Sequence, residues 1–217
     1  MSLANRLAGF AALVIFLAFA MHALNAFYIE PRFLGFESFM DYAKIDKLKN
    51  AIGSVPWRLS GVGHLLSGFA MVVLAMAAYG RFKAETPIAA ALAAGAAALS
   101  AAGFLLTGLA DVPGSGALKL LVAQNPGTET HAYLANSLMR IAFNNLAIVG
   151  LGWFAVQLSW CGLQTGRLPK AFSYFGYLAG LTGLGMMAVF TPYLLVVPIW
   201  ALWLGIVLLR SSEVTAE

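Results

Sequence analysis

The chain has 217 residues, 61% of them hydrophobic and only 10% charged, with a formal net charge of +4. A soluble domain carries charge on roughly a quarter of its residues, so the composition excludes an ordinary water-soluble globular protein and points to a polytopic membrane protein. The basic balance comes from few residues scattered over short loops, which argues for membrane anchoring and against a nucleic-acid partner, and the single Cys161 excludes an intrachain disulfide and a cysteine-based metal cluster.

The first apolar run predicts a span over about residues 7–27, which carries one histidine, His22. Met1 to Ala20 has signal-peptide features: Arg6, an apolar run, then Ala18-Phe19-Ala20. The run continues through Met21, Ala23, Leu24 and Phe27, however, which predicts an uncleaved first span. A polar connector follows from Tyr28 to Pro56. Within it, residues 37–52 place Phe36, Met40, Ala43, Leu48 and Ile52 near one side and Asp41, Lys44, Asp46, Lys47 and Lys49 mostly on another. That pattern predicts an interfacial amphipathic helix, with two readings: a surface connector, or a lid over a pocket between spans.

The second span covers about residues 57–79, with Trp57 and Arg58 at its interfacial end. Ser60, His64, Ser67 and Met71 share a face, and Gly61 and Gly68 keep that side thin. The third span, about 87–109, is nearly all small residues, AALAAGAAALSAAG, and is expected to be the central, most buried helix. Ser100, Thr107 and Asp111 project on one side of it. Asp111 to Thr130 reads as a second polar connector, with turn signals at Pro113-Gly114 and Pro126-Gly127.

The fourth span, about 134–158, carries a polar stripe. Asn136, Arg140 and Asn144 lie four residues apart on one face, with Asn145 beside them. An arginine inside a bilayer costs a few kcal/mol on insertion scales (about 2.5–3.5), so it requires a partner or a route to water. The fifth span, about 172–190, contains Gly176-x-x-x-Gly180, Gly183 and Gly185, a helix-contact pattern. The sixth covers about 193–209, and Pro198 is expected to kink it. The expected architecture is all-α: one six-helix transmembrane domain over residues 1–217, multi-pass in the cytoplasmic (inner) membrane of a bacterium. Weighting short loops over long ones puts the termini in the cytoplasm.

This order of features resembles a family of six-span bacterial integral membrane proteins known as a domain of unknown function. The resemblance rests on the amphipathic first connector, the glycine-rich fourth span, the turn Gln164-Thr165-Gly166-Arg167-Leu168-Pro169-Lys170, and the ending Trp200 to Arg210. Lys170 stands where the family pattern has arginine. The resemblance implies a six-span fold and brings no activity, cofactor or catalytic residue.

Depth along the spans gathers the chemistry. His22 and His64 both fall roughly 8–10 Å below the outer boundary, at 1.5 Å per residue. His131 opens the fourth span on that side, Asp111 closes the third, and Arg140 lies about nine residues below His131. Three readings follow. Asn136, Arg140, Asn144 and Asp111 form a polar network that joins two spans. Alternatively, Arg140, Asn136, Asn144, Asn145, Asp111 and His64 line a pocket for a small ligand, anionic in the first instance, or a lipid headgroup. In the third reading, His22 and His64 ligate a b-type haem, or the histidines, His131 included, hold a metal ion. Ser60 or Ser67 beside His64 is a weak sign of hydrolysis. No catalytic residue is assigned. The expected protein is non-catalytic, needs no cofactor, has the lipid bilayer as its partner, and binds a small molecule or lipid or packs as an accessory membrane subunit.

Overall fold

A computed structural model describes residues 3–185 and 190–210. Among these residues the chain is helical throughout, with no strand. The helices are α1 (Leu3–Leu24), α2 (Ile45–Ala51), α3 (Val55–Phe82), α4 (Pro87–Leu109), α5 (Ser115–Gln124), α6 (Glu129–Thr165), α7 (Lys170–Leu184) and α8 (Phe190–Arg210). Five helical segments are long and apolar enough to cross a bilayer: Leu3–Leu34, Val55–Phe82, Pro87–Gln124, Glu129–Thr165 and Pro192–Arg210. The chain is therefore an all-α polytopic membrane protein. Helix α7 has 15 described residues, and residues 186–189 of the predicted fifth span lie outside the described residues.

The long helices pack mainly with their sequence neighbours, and α1 against α8 closes the ring. Two ends can be distinguished by contacts. At one end, Arg81 of α3 donates to Asn5 Oδ1 (3.3 Å) and to the Arg167 carbonyl (2.9 Å), and Arg167 returns a bond to the Arg81 carbonyl (2.9 Å). At the other end the connector between α1 and α3 folds over α6. Lys49 pairs with Glu129, and Ser137 donates to the Tyr42 carbonyl at 2.8 Å. Phe36, Leu48, Ile52, Trp57, Val122 and Tyr133 form a small apolar cluster beneath it, separate from the main core.

Local chemistry explains several boundaries. The first helix does not stop at residue 27. It continues as a π-helix, Asn25–Leu34, which absorbs Pro31 and ends at Gly35. A proline lacks the donor that an α-helical turn needs there, and a wider turn relieves the clash. Gly35 has φ +67°, a left-handed conformation that glycine adopts without strain, and its N–H donates to the Glu30 carbonyl. The predicted helix over 37–52 is instead split into a 3₁₀ turn, Phe39–Ala43, and α2, because Lys44 is extended (φ −93°, ψ 115°). Asp41 organises this break. Its Oδ2 accepts from the Glu37 and Ser38 N–H groups at 2.7 and 3.0 Å, and its Oδ1 faces Lys44 and Lys47 at 2.8 and 3.2 Å. The Lys44 ammonium first, then these N–H donors, hold the Asp41 carboxyl well below the usual carboxylate range.

Pro113-Gly114 is likewise not a turn. Residues Ala110–Gly114 form a π-helical segment that carries α4 into α5, again around a proline. The turn signal at Pro126-Gly127 holds, with Gly127 at φ +93°. The alanine-rich α4 is one member of the ring and not its centre. Half of its apolar window is buried, against 61% for α6. Leu92, Leu99 and Leu106 of α4 are exposed on its outer face, as expected where the surroundings are hydrocarbon.

Candidate functional site

Four elements converge at the connector end. Asp111, fully buried in the π-helical segment after α4, accepts from Arg140 Nε of α6 at 2.7 Å. Its other oxygen lies 3.4 Å from His64 Nδ1 of α3, outside good hydrogen-bond geometry. The His64 ring stacks on the His22 ring of α1, with centroids 4.3 Å apart and planes 28° apart. His22 Nδ1 in turn faces Ser60 Oγ at 3.4 Å. A continuous polar line thus runs Arg140–Asp111–His64–His22–Ser60 across four helical segments.

Small residues make room for it. A Cβ on Gly61 would sit 2.5 Å from Asp111 Cβ, and one on Gly63 would sit 3.3 Å from the His22 ring. Of the two glycines that the sequence places on the thin side of α3, Gly61 admits Asp111 and Gly68 admits Leu105 of α4, while His22 enters beside Gly63. The Arg140 guanidinium carbon lies 4.4 Å from the centre of the Trp57 ring and 5.5 Å from that of Tyr42. Stacking on two aromatic faces replaces part of the hydration that a buried guanidinium loses.

The connector completes the site with a residue that the sequence leaves unassigned. Glu30 is nearly buried. Its Oε1 accepts from Asn25 Nδ2 at 2.8 Å and its Oε2 from the Tyr42 hydroxyl at 2.6 Å. The π register produces the first contact, since it brings residues five apart onto one face, whereas an α-helix aligns residues four apart. Burial raises the Tyr42 phenol above its ordinary value, so it stays a donor to Glu30.

These groups enclose a cavity of about 110 Å³. Its polar lining comes from His22, Asn25, Glu30, Tyr42, Ser60, His64, Arg140, Asn144 and Asn145; Phe19, Phe104, Tyr193 and several aliphatic groups supply the rest. The Tyr193 hydroxyl and His22 Nε2 are buried polar atoms with no hydrogen-bond partner among the described residues.

Of the predicted site residues, Arg140, Asn144, Asn145, His64 and His22 all line this cavity, and Asp111 holds Arg140 from behind. Asn136 does not line it. It is buried nearer the start of α6, with its Nδ2 unpartnered among the described residues. His131 is exposed at the beginning of α6 and lies off the cavity. No group of three or more histidine, cysteine or carboxylate side chains capable of holding a metal ion occurs among the described residues. Ser60 meets His22 and not His64, and Ser67 Oγ has no partner among the described residues.

No protein-family model matches the chain, and neither a curated protein nor a solved structure does. The resemblance in layout to the six-span family gains nothing from these comparisons.

Proposed function

We propose that this integral membrane protein binds a small polar ligand in the cavity between α1, α3, α6 and the first connector, without performing chemistry on it. One observation carries this reading. Two buried polar atoms, Tyr193 OH and His22 Nε2, belong to residues lining the cavity and find no partner among the described residues. Buried polar groups are normally satisfied, and an orphan beside a cavity is best explained by an occupant. A purely structural network of Arg140 and Asp111 would need the ion pair alone, with no adjoining space. The connector then acts as a lid, because Glu30 and Tyr42 form part of the wall.

The redox alternative asks His22 and His64 to approach one iron from opposite sides through their ring nitrogens. Face-to-face stacking at 4.3 Å favours the ligand pocket over that arrangement. An absorption spectrum with metal analysis of the purified protein separates the two, and a haem band lost on changing His22 or His64 would sink the pocket reading.

A direct test places a thiol in the cavity. Asn144→Cys, made in a Cys161→Ser background, should react with the small neutral reagent methyl methanethiosulfonate in the folded, detergent-solubilised protein. A thiol that stays inert until the protein is denatured would show that no small molecule enters.

A further inference from the structure

The class of ligand can be taken further, and the inference rests on the pocket reading above. The cavity wall and its backing contain three formal charges besides the imidazoles: Glu30, Asp111 and Arg140. Arg140 is committed to Asp111 at 2.7 Å and lies over Trp57 and Tyr42. Among the described residues, the hydrogen bonds to the two Glu30 oxygens come from neutral donors, Asn25 Nδ2 and Tyr42 OH. With both imidazoles neutral, two carboxylates and one guanidinium sum to a formal charge of −1. Arg140 also feels the Glu30 charge, but one guanidinium serves two carboxylates, and burying the surplus negative charge is costly, by several kcal/mol in effective terms. A cation entering beside Glu30 removes that cost, whereas an anion adds to it.

The walls fit the same class. Tyr193, Phe19 and Phe104 form a chain of edge-to-face aromatic contacts at 5.6 and 6.0 Å, continued by His64 stacked 6.1 Å from Phe104. Aromatic faces with one carboxylate constitute the chemistry that recognises organic ammonium ions, because π faces attract a diffuse positive charge without hydrating it. Size limits the choice. A cavity of ~150 Å³ accommodates benzene, so about 110 Å³ suits a head group the size of methyl- to tetramethylammonium. A bare metal ion fits poorly, since the described residues offer no cluster of three ligands. We propose that the cavity binds a small organic ammonium ion, with Glu30 as its countercharge and Phe19, Phe104 and Tyr193 as its walls. This reverses the sign expected from Arg140 alone.

A proton on one of the two stacked imidazoles would supply the same positive charge, so the experiment separates the sources. The Asn144→Cys, Cys161→Ser protein is reacted with a trimethylammonium-ethyl methanethiosulfonate and with its sulfonatoethyl counterpart, each rate being normalised to that of a free thiol. The cationic reagent should be favoured by about tenfold or more, the size of effect expected from one poorly screened charge. Tetramethylammonium chloride should slow it, and Glu30→Gln should abolish both the preference and the protection. Glutamine keeps one acceptor oxygen and turns the other position into a donor, so it preserves the volume and one of the bonds from Asn25 and Tyr42, and Glu30→Asp serves as the folding control that retains the charge. Without any substitution in the chain, tetramethylammonium chloride should raise Tm above that in equal sodium chloride, while sodium acetate should not. Equal rates for the two charged reagents, an anionic preference, or stabilisation by mild acid but not by tetramethylammonium would overturn the ammonium assignment. If the neutral reagent reacts in those cases, the pocket itself stands. If no reagent reacts, both readings fall.

Discussion

The two halves of the bundle use the same helices and hold them together by different means. Through the middle of the bundle, away from the cavity, backbones touch. A Cβ on Gly150 of α6 would lie 2.6 Å from the Ser100 amide nitrogen of α4, and one on Gly152 would lie 2.7 Å from the Gly180 carbonyl of α7. Ser100 adds a 2.7 Å bond to the Ala147 carbonyl. In the connector half, α4 ends in Asp111, and α6 presents Arg140, Asn144 and Asn145. Here α3 and α4 still touch, a Cβ on Gly108 falling 2.8 Å from the Gly61 carbonyl, but an ion pair joins the end of α4 to α6 and a cavity remains beside it. The contrast reflects the solvent. Hydrocarbon offers no hydrophobic drive for helix association, so close contact between small residues serves where no polar group is needed. Charged groups in the same medium are retained at a cost, and a site that keeps Glu30, Asp111, Arg140 and two histidines together is a functional hypothesis by default.

The contrast can be broken from either end. The largest effect is expected from Arg140→Leu, which strands Asp111 in a fully buried position. Loss of about 3–5 kcal/mol is expected, as for other buried pairs broken on one side. Adding Asp111→Asn should recover part of it in a denaturation assay in detergent; an absence of recovery would mean the two residues do not stabilise each other. Gly150→Ala should come next. It pushes α6 off the α4 backbone, at about 1–3 kcal/mol, yet should leave labelling of Asn144→Cys unchanged. Gly61→Ala, with its Cβ directed at Asp111, should instead alter that labelling, and identical behaviour of the two glycine variants would erase the distinction between the halves. Ser100→Ala should lower stability by about 0.6 kcal/mol, the average for hydrogen bonds between membrane helices.

The smallest effect concerns the lid and depends on pH. Asp41 is held well below the usual carboxylate range by Lys44 and the Ser38 N–H. A depressed folded-state value means that its contribution is present above the unfolded value of ~3.9 and is lost as pH falls through the folded one. The difference in Tm between the parent chain and Asp41→Asn should therefore be constant at neutral pH and shrink only in strong acid. A difference that disappears between pH 7 and 5 would mean that another group controls the connector.

Much of this was legible beforehand. The apolar runs mark the long helices because a bilayer span needs about 20 apolar residues. Counting depth along those runs paired Arg140 with Asp111 and brought His22 to the level of His64. Other features were not legible. Pro113-Gly114 carries a turn signal, but the helix passes through it by widening to a π turn. Asn136 shares the Arg140 face by spacing, yet lies off the cavity wall, because periodicity gives a direction around the axis and not what a neighbouring element brings to that height. Glu30 and Tyr42 sit 12 residues apart in a connector, and no local pattern relates them.

The sequence by itself determined the solvent of this protein, its helical class, and the need for its buried arginine to find a partner or water, because those follow from transfer energies and from the 3.6-residue period. Only the tertiary structure supplied the contacts on which the proposed sign of the pocket rests. Arg140 pairs directly with Asp111, Glu30 takes neutral hydrogen-bond donors, and six aromatic or imidazole rings line the space. Those facts depend on contacts between residues far apart in the chain, and on a π register that composition does not encode.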